Sequence, residues 1–382
     1  MLRSEFPVRL IALYLPQFHP IAENDEWWGK GFTEWTNVVK AKPLFRGHYQ
    51  PHLPSDFGFY DLRLPEVRES QADLAREYGI YGFCYYHYWF NGRRVLDRPF
   101  KEVLASGQPD FPFCLCWANE NWTRLWDGRK DHVLLKQEYS HEDDLRHIES
   151  LIPALRDERY IRIGNKPLLL IYRTELLPNP ARTAAIWRES AKWHGVGDLY
   201  LARVESYRSD IDPKTIGFDA AVEFAPDWQT IWAHTNSNYL AGYIGKVNAF
   251  RRQYRVFEYS ALAEAMQQKN EPHFTWFRAI TPSWDNSSRR KQHPVIFHRS
   301  TPEIYESWLR SLIAFTAKRN NPDERVIFIN AWNEWAEGNH LEPDQRWGHL
   351  YLKATHRALN QASSKTHVVE TAMETGQQMA ER

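Results

Sequence analysis

Short apolar segments recur eight times along the chain, and most of them precede a segment whose apolar residues have helical spacing. They are rich in Ile, Leu, Phe and Tyr and do not alternate strictly with polar residues, which is typical of parallel strands buried on both faces. We therefore predict strands at Arg9–Pro16, Tyr81–Trp89, Phe111–Trp117, Pro167–Tyr172, Leu199–Glu205, Asp219–Phe224, Thr275–Ile280 and Arg325–Ala331.

The segments between these strands have the pattern of amphipathic helices. Val67, Leu74 and Tyr78 fall on one helical stripe, and Thr301 followed by Pro302 is a typical helix start. Eightfold strand–helix alternation predicts the α/β class, as a single (β/α)8 TIM barrel with long βα loops. An open doubly wound sheet has the same local pattern, but no G-x-G-x-x-G follows the first strand, which disfavours its dinucleotide-binding form.

The predicted catalytic domain covers residues 1–360, and the polar, aperiodic segment 361–382 is predicted to be a disordered tail. The first βα connection, about Gln17–Leu62, is too long for a plain turn and is rich in Trp and His. Long loops of this kind usually serve function.

Charge and composition limit the partners of the protein. The chain has 48 basic and 48 acidic residues, so no electrostatic attraction for nucleic acid or for an anionic membrane is expected. Aromatic residues make up 15% of the chain, more than a buried core needs, so some are expected to face a neutral ligand. No apolar run approaches the roughly 20 residues of a membrane span and no signal peptide is evident, which predicts a cytoplasmic protein. The oligomeric state is left open.

The three cysteines, Cys84, Cys114 and Cys116, all lie in predicted strands. This placement argues against a disulfide framework, and no matching His or Cys cluster accompanies them. We therefore expect no metal site and no cofactor.

The residues that end the predicted strands are aromatic, amide or acidic in unusual number. In a barrel the active site forms at these ends, and sugars bind where flat rings accompany polar groups. An oligosaccharide or polysaccharide substrate is therefore predicted. The predicted substrate-binding residues are Tyr14, Trp35, Tyr85, His87, Trp117, Asn119, Glu120, Tyr172, Glu205, Glu223, Trp284, Trp332 and Asn333.

Each of these residues also has a structural interpretation. A single ring at a strand end is more often barrel packing, and the tryptophans of the first loop could pack it onto the rim. Glu205 or Glu223 could form a structural ion pair with an arginine such as Arg203, because buried carboxylates are usually paired. His87 could be a hydrogen-bonded core histidine.

Glu334 and Glu337 give the sharpest chemical signal. Cleavage of a glycosidic bond generally needs one carboxyl group to protonate the leaving oxygen and another to act as base or nucleophile. A separation of three residues at a strand-to-loop junction can aim both side chains into one pocket. The adjacent Trp332 and Trp335 could exclude water and raise one pKa. The alternative is two solvated acids on a loop.

At these residues the chain resembles the family 99-like glycoside hydrolase domains, also called WbsX-type proteins and associated with polysaccharide biosynthesis. The resemblance covers residues 9–351. It rests on the sequences ALYLPQFHP (12–20), WWGKGFTEWTNV (27–38), HYQPHLPSDFGFYDLR (48–63), YGIYGFCYYHYWFNGRRVLDRPF (78–100), FCLCWANENWTRLWDG (113–128) and NAWNEWAEGNHLEPD (330–344).

The resemblance implies a (β/α)8 barrel and a retaining glycoside hydrolase whose N-E-W-x-E-G signature matches residues 333–338. It further implies that Glu334 is the base for the substrate's own 2-hydroxyl, giving a 1,2-anhydro sugar, and that Glu337 is the acid and then base. The substrate would be an α-linked manno- or rhamno-configured polysaccharide. Members that act on mannan open differently from ALYLPQFHP, which leaves the sugar itself open.

Two other functions stay open at this point. A glycosyltransferase of O-antigen or capsule synthesis fits the biosynthetic association, and Asp210 with Asp212 could hold a divalent cation, although no Gly-rich phosphate loop accompanies them. A catalytically silent carbohydrate-binding barrel is the third, and the presence of both glutamates argues against it.

Overall fold

Eight parallel strands form a closed barrel in the computed structural model, which describes residues 6–123, 133–234 and 254–363. Each strand pairs with the next along the chain, and β1 pairs with both β2 and β8, so the sheet closes. The predicted fold class and all eight predicted strand positions are confirmed. The strands are β1 (Arg9–Tyr14), β2 (Gly82–Phe90), β3 (Phe113–Trp117), β4 (Lys166–Ile171), β5 (Tyr200–Val204), β6 (Ala220–Val222), β7 (Trp276–Ile280) and β8 (Val326–Ile329).

The strands are nearly continuous apolar runs because both of their faces are covered. Every residue from Leu168 to Ile171 in β4 is fully buried, and so is every residue from Leu10 to Ala12 in β1. Parallel strands of this kind pack against side chains inside the barrel on one face and against helices on the other.

Helices follow most strands and cover the outside of the barrel. The predicted start at Thr301 is confirmed, because its side chain accepts a hydrogen bond from the Ile304 amide and Pro302 is the first helical residue. Only a short 3-10 helix, Pro213–Ile216, connects β5 to β6. The helices are α1 (Pro65–Glu77), α2 (Arg98–Ser106), α3 (His141–Arg156), α4 (Pro180–Trp193), α5 (Trp228–His234), α6 (Tyr259–Gln267), α7 (Pro302–Arg319) and α8 (350–363).

Short additional strands lie outside the eight-stranded barrel. Within the described ranges, no helix has the length and apolar character needed to cross a bilayer. Residues 361–363 of the predicted tail continue α8, and 364–382 lie outside the described residues. The additional strands are Arg93–Val95, Trp122–Thr123, Val133–Leu135, Arg162–Ile163, Arg255–Glu258, Val295–His298, Asn333–Glu334 and Asn339–His340.

The long loop after β1 contains two short helices, Ala22–Trp28 and Trp35–Val38, and packs onto the segment that follows β8. The Trp35 indole donates to the backbone oxygen of Tyr60 at 2.8 Å, which fixes the loop internally. Its ring lies 5.6 Å from that of Trp335, centroid to centroid. The first loop is therefore held against the chain segment that carries both candidate catalytic glutamates.

The start of β2 tolerates no side chain, which gives a test of this packing. A Cβ at Gly82 would collide with the backbone oxygen of Pro112 and would lie 2.9 Å from Cδ1 of Ile161. That oxygen cannot move away freely, because it accepts the Phe83 amide at 2.9 Å. We expect Gly82→Ala to lower the free energy of unfolding by about 3 kcal/mol, measured by urea denaturation.

Gly107→Ala is the matched control for this substitution. Gly107 ends α2 with a φ of 72°, and a Cβ there has no neighbour within 4 Å. We expect Gly107→Ala to lower the free energy of unfolding by only about 1 kcal/mol, the cost of placing alanine in the left-handed region. Equal losses in the two variants would contradict the close approach of β2 to Pro112.

Candidate active site

Glu334 and Glu337 lie in a tight hairpin that follows β8. Asn333–Glu334 pairs antiparallel with Asn339–His340, and a single 3-10 turn connects the two strands. Gly338 closes the turn with a φ of 54°, in the left-handed region that glycine adopts without strain. This geometry places Glu334 at the start of the hairpin and Glu337 at its tip, where both side chains line one cavity.

A single arginine contacts both glutamates. Nη2 of Arg289 lies 2.5 Å from Oε1 of Glu334, and Nη1 lies 2.9 Å from Oε1 of Glu337. The Nε of the same guanidinium donates to Oε2 of Glu34 at 3.1 Å. The Glu34 side chain is fully buried and that of Arg289 is 9% exposed, so three carboxylates share one poorly hydrated guanidinium.

Three separate segments meet at Arg289. The arginine follows a 3-10 turn after β7, whose cap is Asp285, accepting the Ser287 amide at 2.9 Å. The amide of Asp285 in turn donates to the backbone oxygen of Glu337 at 2.7 Å, which joins this segment to the hairpin. Glu34 comes from the first loop, where it precedes the helix Trp35–Val38.

The two candidate catalytic carboxyls have different environments. Burial raises the pKa of Glu334 to about 8, with a further increase from Glu337, while Arg289 opposes the shift. Burial also raises the pKa of Glu337, and Arg289 again opposes this increase. The Glu334 side chain is 7% exposed and that of Glu337 is 22% exposed. The pair therefore retains a proton at higher pH than ordinary glutamates, and its titration belongs to the pair rather than to either residue.

The cavity above these carboxylates has a volume of about 580 Å³, and eight aromatic rings contribute to its lining. Trp228 packs edge-on against Trp284 with ring centroids 5.3 Å apart, and Gln17 donates to the hydroxyl of Tyr88 at 2.9 Å. Rings mixed with amides and charged groups suit a ligand that is apolar on one face and hydroxylated at its edges. The aromatic residues of the lining are Tyr86, Tyr88, Trp122, Tyr172, Tyr207, Phe224, Trp228 and Trp284.

Five of the predicted site residues meet in this cavity: Glu334, Glu337, Glu120, Tyr172 and Trp284. Glu120 forms an ion pair with Arg173, and burial raises its pKa. The Tyr172 ring lies 5.6 Å from that of Phe224. The roles of these five in binding or catalysis stay predictions.

The remaining predicted aromatic residues do not line the cavity. Tyr85 packs against Tyr14 at a centroid distance of 4.5 Å and against Phe100 of α2 at 5.3 Å, in the layer between barrel and helices. The structure gives these rings packing partners instead of a place at the cavity. The residues concerned are Tyr14, Trp35, Tyr85, Trp117 and Trp332, all buried.

His87, Asn119 and Asn333 also lie outside the cavity, each in a hydrogen-bonded position. Nε2 of His87 lies 3.0 Å from Nε2 of His147, and the two rings stack. The Asn119 amide bonds to the backbone N and O of Arg173, and the Asn333 amide does the same at Leu15. These three side chains hold strand ends in place.

Glu205 and Glu223 occupy buried ionic positions away from the cavity. Glu205 accepts the Trp276 indole at 3.0 Å and lies 3.6 Å from Arg203. Glu223 accepts Nε of Arg278 at 2.8 Å and lies 3.1 Å from Nζ of Lys269. The structural ion pair considered for these two residues is thus the arrangement that the structure contains.

The sequence interpretation missed two kinds of residue. Tyr86 and Tyr88 line the cavity, whereas the predicted Tyr85 and His87 alternate with them on the same strand and face the opposite side. The period-two alternation of a strand was the available signal, but nothing local fixes which phase faces the cavity. Arg289 was missed because no local pattern relates it to residues that are far away in sequence.

Residues 10–355 match the family model described as Glycosyltransferase WbsX. Two proteins called uncharacterized protein WxcX, from Xanthomonas campestris pv. campestris strains B100 and ATCC 33913, are 46% and 45% identical over 363 residues. The match covers 94% of this chain and 51% of each relative, so the chain spans about half the length of these relatives.

Solved structures share the fold at low sequence identity. The family 99 endo-alpha-mannosidase of Bacteroides thetaiotaomicron has a TM-score of 0.54 and 15% identity, covering 93% of this chain and 98% of that one. A glycoside hydrolase-like protein has a TM-score of 0.55 and 13% identity, covering 92% and 94%. These likenesses show a shared barrel fold, and the family model that matches residues 10–355 shows that the chain belongs to the WbsX family.

Proposed function

We propose that this protein is a retaining glycoside hydrolase that cleaves α-linked manno- or rhamno-configured polysaccharides, with participation of the substrate's 2-hydroxyl. The observation that carries the proposal is the joint contact of Arg289 with Glu334 and Glu337 beneath an aromatic-lined cavity. Two carboxyls on one cavity wall, one more exposed than the other, provide the acid and base that glycosidic cleavage requires.

In the first step, Glu334 removes the proton of the 2-hydroxyl. The 2-oxygen then attacks the anomeric carbon from the face opposite the leaving group, and the glycosidic C–O bond breaks. Glu337 donates its proton to the departing oxygen. The product of this step is a 1,2-anhydro sugar, and no bond to the enzyme has formed.

In the second step, Glu337 removes a proton from water, and the resulting hydroxide attacks the anomeric carbon. The anomeric carbon–oxygen bond of the three-membered ring breaks, and the 2-oxygen recovers its proton from Glu334. Two inversions at the anomeric carbon give overall retention. Both glutamates end in their starting protonation states.

The electrostatics of the cluster suit this cycle. Glu34, Glu334 and Glu337 surround one guanidinium, and burial disfavours the ionised forms of Glu334 and Glu337, so the cluster favours an additional proton. The active form has one proton on the catalytic pair. Because burial raises the pKa of both carboxyls, this form extends to higher pH than it would for exposed glutamates.

A glycosyltransferase is the second candidate, favoured by the description of the matching family. The same anhydro intermediate would then be opened by an acceptor hydroxyl in place of water. The acidic pair considered for metal-assisted transfer has other partners: Asp210 lies 2.6 Å from Arg208, and Asp212 accepts the Lys214 amide at 2.9 Å. Neither aspartate lines the cavity.

Replacing either carboxyl by its amide tests the catalytic assignment. Glu337→Gln removes the proton donor and Glu334→Gln removes the base, while both keep the shape of the side chain. Each should reduce the release of reducing ends from a cleaved α-manno- or α-rhamno-linked polysaccharide about 10²–10⁴-fold. The measurement is a reducing-end assay across a panel of such polysaccharides.

Glu149→Gln is the matched control, since Glu149 is an exposed carboxylate on α3. It should retain wild-type turnover and unfold at the wild-type temperature. Undiminished turnover in Glu337→Gln would contradict the hydrolase assignment. If sugar instead transfers from a nucleotide-sugar donor to an acceptor and no polysaccharide is cleaved, the transferase is the correct function.

The role of the 2-hydroxyl is tested with matched substrates. An oligosaccharide whose cleaved residue carries 2-fluoro or 2-deoxy in place of the hydroxyl should not be turned over, because no oxygen is available to form the anhydro ring. Mass spectrometry of the enzyme after long incubation should show the unmodified mass. A glycosylated enzyme with the 2-fluoro substrate would instead identify one glutamate as a nucleophile and exclude neighbouring-group participation.

A further inference from the structure

A second cavity, of about 790 Å³, lies beside the candidate active site and shares Trp284 with it. Its wall includes His52, His340 and Asp344, three buried side chains whose metal-binding atoms lie close together. One ligand atom from each of them falls within 4.8 Å of the other two. Among the described residues, these three come from two segments that are distant in sequence, the first loop and the segment after β8.

We propose that His52, His340 and Asp344 bind a divalent transition-metal ion, for which Zn²⁺ is the best match. Two imidazole nitrogens and one carboxylate oxygen form a ligand set that Zn²⁺ accepts, and three protein ligands leave a coordination position open. All three residues line the cavity, so water or a ligand oxygen there can supply a fourth ligand. This site goes beyond the proposed hydrolase activity, which requires no metal.

The separations between the ligand atoms fit one small cation. Nδ1 of His52 lies 2.9 Å from Nε2 of His340, and that same Nε2 lies 4.0 Å from Oδ2 of Asp344. Ligands around a tetrahedral zinc are separated by about 3.3 Å, given metal–ligand bonds of about 2.0–2.1 Å. These two separations differ from that value by less than 1 Å, so small side-chain movements bring the three ligand atoms around one cation.

Neighbouring groups orient His340 as a ligand. Its Nδ1 lies 2.9 Å from the backbone oxygen of Glu342, so Nδ1 carries the proton and Nε2 presents its lone pair to the site. Metal-binding histidines typically have this kind of partner on the ring nitrogen that does not bind the metal. The indole of Trp335 stacks on the imidazole with centroids 3.8 Å apart, which fixes the plane of the ring.

Hydrogen bonds from neighbouring groups also fix the carboxylate of Asp344. Its Oδ1 accepts the amides of Arg346 at 3.1 Å and Trp347 at 2.6 Å. Its Oδ2, the atom that faces His340, accepts the hydroxyl of Tyr49 at 3.0 Å. A carboxylate fixed on one oxygen by the backbone presents the other oxygen to the site without a large loss of side-chain freedom.

Other histidines on the same cavity differ from this trio. Both nitrogens of His48 are occupied, one by Asp285 at 2.5 Å and the other by the Leu44 amide at 3.0 Å. His298 lines the cavity but is not part of the metal-binding trio.

A metal at this site would link the first loop to the hairpin that carries Glu337. His52 lies three residues after Tyr49, which also lines the cavity, and His340 is three residues after Glu337 in the chain. The linkage would stabilise the folded state by mass action, because the unfolded chain does not hold the ligands together.

Zinc binding by the whole chain tests this proposal. Protein purified in the presence of a chelator, then exchanged into buffer, is titrated with Zn²⁺, and the bound metal is counted by plasma mass spectrometry after desalting. We expect one Zn²⁺ per chain and a rise of several degrees in unfolding temperature, the size of shift expected at saturating metal. His340→Ala and the conservative Asp344→Asn should each weaken binding at least about tenfold.

His298→Ala is the control, because it removes an imidazole from the same cavity but outside the trio. It should bind one Zn²⁺ with wild-type affinity. Wild-type protein that binds no stoichiometric zinc overturns the proposal, and so does binding that survives in Asp344→Asn and in a second variant, His52→Gln. A loss of polysaccharide cleavage with normal zinc binding would concern the proposed hydrolase function and would not contradict the metal site.

Discussion

The contact of one guanidinium with three carboxylates is the interaction on which the candidate active site depends. Arg289 joins Glu34 of the first loop to Glu334 and Glu337 of the hairpin after β8. Without it, three carboxylates would lie close together with little water, and their ionised forms would be strongly disfavoured. The arginine therefore assembles the site from separate segments, and it also determines how much negative charge the site retains.

The barrel explains why these segments meet. Parallel strands place all their carboxyl ends at one edge, so the loops after β1, β7 and β8 converge although they are far apart in sequence. The hairpin after β8 adds the local geometry, with Gly338 turning the chain in the left-handed region. Arg289 and Asp285 then join the β7 segment to that hairpin by a side chain and by a backbone hydrogen bond. The fold therefore brings Arg289 and the candidate catalytic carboxylates together, because these loops converge at one end of the barrel.

The sequence predicts those features of the structure for which burial produces a local pattern of residues. The eight strands could be predicted because two-sided burial makes each an apolar run, and Glu334 with Glu337 could be predicted because they lie close together in one loop. The orientation of β2 could not be predicted from the sequence. Tyr85 and Tyr86 are both aromatic, and only tertiary packing decides which of the two rings faces the cavity. Arg289 was inaccessible for another reason, since its contact with Glu34 spans 255 residues.

Arg289 holds Glu334 and Glu337 together as one titrating pair. Carbon-13 NMR of side-chain carboxyls in glutamate-labelled protein, assigned by the Glu→Gln variants, measures that titration directly. We expect two linked transitions above the ordinary glutamate range, both moving to higher pH in Arg289→Met, because the guanidinium favours the ionised forms. Independent titration of the two carboxyls in the ordinary range, unchanged by loss of the arginine, would contradict it.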